Sequence, residues 1–585
     1  MGLDAHNGAQ KSVSNILPPA RHSLPGNRST FPTTVQITTS DNAATNKRSP
    51  SLAPDEVQLG RRDPKKIISF SSSDPESPYN WPKKKKLNVF LAGIITVINS
   101  TLDSSLPSGA ISFMAKHFNV TDEVQLPLPI SCFLAGYVVG PTICGPLSEN
   151  NGRKPVMIGF FLLATIFNMA CAVAPNWPAL LFFRFLTGVG ASGPIAIVGG
   201  LYADVYDDPR ERGVAMAWFM VATTGGPVIA PVISGFIGEN TTWRWVFGVG
   251  TIFAAATIPL ILMMPETYTP VLLSRKSKKL RQETGDPDII ARTDLQKKDF
   301  QHVITVVMTR PYRMLFQEVI VMCVCAYCSL AYGIFYLYFE AYPTIFYGPD
   351  SVYKWSSGMA GLTFLPIGIG AIFAAPIFLG WDSYLAKAQK RKAKWAEKEE
   401  YRRLPLACLG GPLYVVALFW IGWSAKPDIH WLVPVTSGVA FGMAFLLIFM
   451  ALLNYLTDAY EIFAASAHGI ASTCRSIFGT LLPLASSRMF STLGIAWACS
   501  LLAFLSMGMA LIPFVFIKFG DQIRENSRFC QQLKEIKAKQ ATERQGEEDR
   551  QDQVTTDGGL RDVEKKETMD PSYKERANYG VSDKV

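Results

Sequence analysis

Gly145-Pro-Leu-Ser-Glu149-Asn-Asn-Gly152-Arg153-Lys154-Pro155 is a short polar stretch between two apolar runs, Leu126 to Cys144 and Val156 to Val173. Each run approaches the ~20 residues with which a helix crosses a hydrocarbon core. The stretch is therefore expected to be a tight turn carrying Glu149, Arg153 and Lys154. Gly145 and Gly152 permit close approach or positive φ, and Pro155 suits the opening of the next helix. Taken alone, these residues fit a polar hairpin between membrane helices, with its positive charge on the cytoplasmic side.

Apolar runs of similar length recur on either side. Before and around the stretch they lie at about 87–111, 127–148, 156–174, 178–202, 213–236 and 243–264. After a hydrophilic interval they return at about 314–340, 354–380, 405–425, 430–452, 464–490 and 494–519. The pattern predicts an all-α membrane protein with twelve transmembrane helices. The parts are a disordered cytoplasmic N-terminal tail over 1–86, a six-helix half over 87–264 and a central cytoplasmic loop over 265–313. A second six-helix half over 314–519 and a cytoplasmic C-terminal tail over 520–585 complete the chain.

Charge supports this topology. Lys83 to Lys86 precede the first run, and four lysines there hold that end in the cytoplasm. Every second link is then also cytoplasmic. Those links carry Arg153 and Lys154, Arg210 and Arg212, Arg275 to Arg281, and Lys390 to Arg403, whereas the others hold little beyond Lys116, Arg244, Lys354 and Lys426. Both termini are thus expected inside. The outer links contain sequons at Asn119 and Asn240, candidates for glycosylation in short loops; a third, at Asn27, falls in the tail and should be silent.

Composition narrows the function. The 585 residues are 49% hydrophobic and 18% charged, with a net charge of +9. Mean hydropathy is only +0.17 because polar tails dilute an apolar middle. The basic residues sit in short links and tails, so a membrane protein is expected and a nucleic-acid partner is not. The ten cysteines fall mostly inside apolar runs. Cys323 and Cys325 would point some 200° apart on a helix, so the group with Cys328 is expected to pack rather than bind metal. No secretory leader, no phosphate-binding Gly-Lys-Ser/Thr loop and no catalytic constellation is found, so no enzyme activity and no cofactor are expected.

Charges within the apolar runs are the candidates for function. Arg184 lies about 9 Å into its helix, and Asp103 about 24 Å past Lys86, at comparable depth. Glu340 closes the aromatic run Tyr336-Leu-Tyr-Phe-Glu340 near the outer end of its helix. Asp103 or Glu340 is expected to bind a proton or cation in a translocation pathway, with Arg184 nearby and Tyr336 among the lining aromatics. Glu340 as a solvated terminal carboxylate, and Arg184 snorkelling to the surface, remain alternatives. Asn454 is a candidate substrate ligand or a helix-to-helix hydrogen bond, and Asp458 with Glu461 is expected to gate against Arg475 or the basic links. In Gly226-Pro227-Val-Ile-Ala-Pro231-Val-Ile-Ser-Gly235, small residues recur at helical spacing and two prolines permit a bend.

These stretches resemble known motifs. Gly145 to Pro155 resembles the motif after the second helix of major facilitator superfamily transporters, with Glu149 where that family usually has Asp. Gly226 to Gly235 resembles the motif of its antiporter branches, with Ala230 and Ser234 in place of two glycines. Arg184 to Gly190 is similar to a family segment linked to proton coupling. With Asn80-Trp81-Pro82, Ser104 to Ser108, Phe339 to Pro343 and Tyr455 to Tyr460, residues 80–528 resemble a fungal drug:H⁺ antiporter with twelve spans. The first-span elements are most similar to the polyamine-transporter branch.

The resemblance implies a major facilitator fold and proton-driven export of amphipathic or cationic small molecules, such as drugs, toxins or polyamines, across the plasma membrane. The proton gradient is the implied energy source; the implied partners are a small-molecule substrate, protons and membrane lipid, with a monomer expected. A proton symporter or facilitator for nutrient uptake is the alternative on the same fold, and a non-transporting receptor the alternative of another class.

Overall fold

The computed structural model describes residues 66–71, 74–291, 309–349, 351–398, 400–538 and 542. The Asn27 sequon and most of the two expected tails lie outside these residues. The apolar runs form helices α1 (Lys83–Ser105), α2 (Ile111–Phe118), α3 (Leu128–Asn151), α4 (Arg153–Ala172), α5 (Trp177–Val205), α6 (Pro209–Asn240) and α7 (Arg244–Met263). A polar helix α8 (Thr269–Thr284) and the short α9 (Arg310–Gln317) follow. Then come α10 (Val319–Phe346), α11 (Ser357–Leu362), α12 (Leu365–Lys390), α13 (Glu400–Ser424), α14 (Leu432–Tyr460), α15 (Ala464–Leu481) and α16 (Ser486–Glu525).

Among the described residues, eleven helical stretches are long and apolar enough to span a bilayer. The last, Ala464–Glu525, holds 62 residues. It is interrupted by a 3₁₀ turn at Pro483–Ala485 and by Gly494, whose φ of 72° is not helical. The break falls where the sequence separates the runs ending at 490 and beginning at 494.

The helices pack as two bundles. In the first, α1 packs on α6, α5 and α7, α3 on α5, and α4 on α5 and α7. In the second, α12 packs on α14, α13 on α14 and α16, and α10 on α15 and α16. The bundles meet where α3 crosses α15 and where α6 crosses α11 and α12. Large apolar side chains such as Ile166, Ile252, Phe373, Phe504 and Leu511 stand exposed on the outside, the arrangement of helices solvated by lipid rather than water.

Three expectations change. The stretch Gly145–Pro155 is not a loop: α3 continues helically to Asn151, α4 starts at Arg153, and Gly152 alone breaks the chain, with φ 102° and ψ 161°. The tail expected to be disordered through residue 86 contains a strand β1 (Lys66–Ile68), paired in parallel with β2 (Ile289–Ala291) of the central loop. Lys276 of α8 bonds Asp74 at 2.6 Å and Glu76 at 3.0 Å, and the bond to Lys276 holds the Asp74 carboxyl below its usual range. At the other end, α16 runs past 519 to Glu525, and residues 528–538 form a further helix. Buried Glu318 explains that docking: it accepts hydrogen bonds from Tyr460 Oη at 2.9 Å, Ser527 Oγ at 2.5 Å and Phe529 N at 3.2 Å. These segments stay in place because specific polar pairs hold them, a signal that hydropathy does not carry.

Candidate functional site

At the α3–α4 junction, Gly152 adopts a backbone region essentially restricted to glycine. A Cβ there would stand 2.5 Å from Glu266 Oε2. The Glu266 carboxylate caps the start of α4, accepting from Arg153 N (2.9 Å) and Lys154 N (3.1 Å), and also from Thr267 N and Tyr268 N (3.0 Å each). It thereby satisfies donors that a helix start leaves orphaned and lies at the positive end of the helix dipole. The Arg153 side chain bonds Asp204 Oδ2 at 3.2 Å and Ser148 Oγ at 2.9 Å, with its guanidinium 4.7 Å from the Tyr268 ring centre. Lys154 Nζ donates to Leu262 O at 2.7 Å. Glu149 is exposed on the last turn of α3, and Gly145 is helical with open space where a Cβ would stand. Sequence reading missed Glu266 because it lies in the central loop, more than a hundred residues downstream.

The second bundle has a comparable joint on the same face. Arg403, at the start of α13, bonds Asp458 at 3.1 Å and Asp382 at 3.2 Å, and Arg402 approaches Asp458 at 3.8 Å. Asp458 therefore pairs with the basic link, within its own bundle. Glu461 pairs with Lys537 at 2.7 Å.

Arg184 is fully buried, so it does not snorkel. Its Nε donates to Pro129 O at 2.9 Å and its Nη2 to Asp103 O at 2.8 Å and Ser104 O at 3.1 Å. The guanidinium lies 4.5 Å from the Phe133 ring centre and 5.8 Å from that of Phe247. Arg184 and Asp103 are thus brought together, but through the Asp103 main chain. The Asp103 carboxylate points towards α4 and α7: a Cβ on Gly250 would meet Asp103 Oδ1 at 3.0 Å and Asn168 Nδ2 at 2.9 Å. Oδ1 is buried and has no hydrogen-bond partner. Buried Asn168, which sequence reading did not select, shares this pocket.

Glu340 lies between the bundles. It lines a cavity of about 160 Å³ with Ser108, Gly109, Pro231, Tyr347, Ser357 and Phe364. Its Oε1 is buried without a partner. One turn earlier, Tyr336 Oη bonds Ser104 Oγ of the first bundle at 2.8 Å. On the same far face, away from Gly152, Ser112 bonds Tyr347 at 2.9 Å, Ser357 Oγ donates to Gly109 O at 2.5 Å, and Gly358 N donates to Glu239 at 2.8 Å. Ser487 Oγ donates to Glu123 at 2.5 Å. All these bonds join the two bundles, and those beyond Tyr336 close the far face.

The small residues of α6 make that closure tight. Pro231 has no N–H to give to Pro227 O, and Ser105 Oγ bonds that carbonyl instead at 2.8 Å. A Cβ on Gly226 would meet Leu102 N at 2.8 Å, and one on Gly235 would meet Ser357 O at 2.6 Å and Gly358 Cα at 3.0 Å. One side of the stretch therefore seats on α1, and the other seats backbone-to-backbone on α11 of the other bundle. Asn454 Nδ2 bonds Met450 O of its own helix at 2.6 Å. Asn119 is an exposed left-handed cap on the far face, and Asn240 Nδ2 bonds Phe236 O there at 2.9 Å.

Comparison with known proteins agrees with this architecture. Residues 92–483, more than half the chain, match the family model of the Major Facilitator Superfamily. The chain is 37% identical over 466 residues to the Efflux pump FUBT of Fusarium oxysporum, covering 79% of this chain and 77% of that protein. It is 34% identical to the Major facilitator superfamily multidrug transporter mdrA of Aspergillus fumigatus, covering 80% and 76%. It is 38% identical to the Citrinin biosynthesis cluster MFS transporter mrr1 of Monascus ruber, covering 78% and 91%. Among solved structures, the proton:xylose symporter XylE superposes with a TM-score of 0.55 at 16% identity, covering 75% of this chain and 97% of that one, a likeness of fold. Two helical bundles joined by α3–α15 and α6–α12 contacts, the Gly152 joint and this family match lead to one conclusion: the chain belongs to the major facilitator superfamily.

Proposed function

We propose that this protein is a proton-coupled exporter of small amphipathic molecules, drugs or secondary metabolites, working as a monomer in the plasma membrane. Spermine-like cations are a narrower form of the same reading. Both termini are cytoplasmic, which makes the Gly152 face the inner one. The 62-residue stretch Ala464–Glu525 would be about 93 Å long as one helix, roughly three bilayer cores. Broken at Gly494, it supplies two spans, for twelve in all.

The observation that carries the reading is Glu340, a carboxylate with a partnerless oxygen in a cavity at the junction of two bundles that can part. With the far face shut, substrate loads from the cytoplasm. Rocking of the bundles then opens the far face, where Glu340 exchanges its proton with the outer water as cargo leaves. Asp103, with its own partnerless oxygen, is the second proton site, positioned by Arg184 through the backbone. Efflux as the direction rests on the named efflux pumps among the relatives.

The test is uptake of labelled spermidine and of a hydrophobic cationic dye into inside-out vesicles, acidic inside. Accumulation is expected to vanish when the gradient is collapsed. Glu340→Gln and Asp103→Asn are expected to flatten its pH dependence. Transport with unchanged pH dependence after both substitutions would refute the carboxylate mechanism.

A further inference from the structure

Other buried or half-buried arginines have partners. Arg153 has Asp204, Arg403 has Asp458, Arg524 has Glu400, and Arg184 has three carbonyl bonds. Arg475, on α15, differs. Its single hydrogen bond among the described residues is from Nη2 to Ser472 Oγ, one turn away, at 3.3 Å. Its Nε is buried with no acceptor, and no described carboxylate pairs with it. It lies about 17 Å along a helix that begins at Ala464, near mid-bilayer. An unpaired arginine there costs about 2.5–3.5 kcal/mol on insertion scales, and such residues mark ligand pathways.

The surroundings are aromatic and hydroxylated. The Arg475 guanidinium is 5.4 Å from the ring centre of Tyr332 on α10. One turn beyond Arg475, a Cβ on Gly479 would meet Tyr332 Cδ1 at 3.1 Å and Leu134 Cδ1 of α3 at 3.2 Å, and Tyr137 lies one turn further along α3. Tyr332 and Tyr336 have ring centres 4.9 Å apart, with Phe449 at 6.2 Å from Tyr332. Tyr137 bonds Ser100 of α1 at 2.8 Å. α1, α3, α10 and α15 thus converge on this point, and they come from both bundles.

We infer that Arg475 and the Tyr137–Tyr332–Tyr336 cluster form the cargo site, and that it takes a small aromatic organic anion such as an aryl carboxylate. The planar guanidinium matches a carboxylate fork, and the tyrosine faces give a planar ring a surface to stack on. Asp103 adjoins Ser104, whose hydroxyl bonds Tyr336, but among the described residues no carboxylate pairs with Arg475 itself, so a polyamine would bring positive charge against an unneutralised guanidinium. The inference rests on the exporter reading, from which it takes the identity of the central space, and it replaces a cationic cargo by an anionic one. Glu340, one turn beyond Tyr336 on α10, keeps the proton.

The probe is 1-naphthalenesulfonate, which stays charged at every usable pH, measured by equilibrium binding to the purified full-length protein. Naphthalene-1-methanol serves as the neutral comparison and 1-naphthylmethylammonium as the cationic one. The sulfonate is expected to bind saturably and more tightly than either. Arg475→Gln should weaken sulfonate binding about tenfold or more, the scale of lost charge-assisted hydrogen bonds, and leave the neutral compound unchanged. Arg475→Lys should recover part of the loss. Size-exclusion profiles and naphthalene-1-methanol binding report whether each variant is folded. The inference is overturned if the sulfonate fails to saturate, if the ammonium compound binds as well, or if Arg475→Gln binds sulfonate normally. Gradient-driven flux of the cationic dye without any sulfonate binding would overturn the anion site and leave the exporter reading intact. Saturable sulfonate binding without gradient-driven flux of any probe would do the reverse.

Discussion

Gly152 shows how much one backbone torsion can hold. Its φ of 102° lets α3 stop and α4 start within one residue, and the missing side chain makes room for Glu266. Gly152→Ala should therefore cost about 1–3 kcal/mol for the backbone strain alone, with displacement of Glu266 added. Gly145→Ala, seven residues earlier with nothing near its Cβ position, should be close to neutral. Thermal unfolding of the two variants in detergent compares them directly; equal midpoints would show that the junction is not held by Gly152. The sequence marks both glycines equally, and only their torsions and neighbours separate them. Arg184 teaches a related lesson. Its charge and rough depth are legible in the sequence, but its partners are main-chain oxygens, which belong to no residue type.

At the scale of the element, α6 works because its prolines and small residues act together. The carbonyl left free by Pro231 receives Ser105, and Gly235 lets α11 touch the helix backbone. Gly235→Val would drive a branched side chain into Ser357 O and the Gly358 backbone, neither of which can step aside. The far face should then open. Labelling of a cysteine at Ser108 by a membrane-impermeant maleimide should rise several-fold and gradient-driven transport should fall; unchanged labelling would mean that the contact is not a seal. The helix at 528–538 depends on Glu318 in a comparable way. Deleting everything after Asn526 removes two of its three donors and should lower stability by about 1–3 kcal/mol, the cost of a stranded buried polar group. Glu318→Gln should then have a smaller effect in the shortened protein than in the full chain. Additive effects in that thermal double-mutant cycle would mean that Glu318 does not hold the helix.

For the whole molecule, the relevant fact is that, apart from Ser104–Tyr336 in the central space, the hydrogen bonds between bundles in the described residues lie on the far face. The bonded pairs Ser112–Tyr347, Ser357–Gly109, Gly358–Glu239 and Ser487–Glu123 close it. On the opposite face each bundle is instead tied within itself, by Arg153–Asp204 and by Arg403–Asp458. Each bundle can then turn as a unit while the far-face bonds break. Glu123→Cys with Ser487→Cys, in a background without other reactive thiols, places an exposed and a half-buried thiol across the closure. Joining them with a short bifunctional thiol reagent should abolish transport, and cleaving the bridge with reductant should restore it. Full transport by the bridged protein would exclude opening of this face.

The sequence by itself determined the helical membrane class, the positions of nearly all spanning runs, the two-part division and the motifs that carry the family resemblance. Those properties come from hydropathy, charge and local residue order, which act over a few helical turns and survive any tertiary arrangement. Only the tertiary structure decided that Gly145 to Asn151 is helix, that Glu266 caps α4, that Asp103 faces Asn168 while Glu340 lines the space between bundles, and that Arg475 pairs with no carboxylate among the described residues. Each of these depends on which distant side chain fills a given few ångströms, and hydrogen bonds and close packing settle that only after the helices have met.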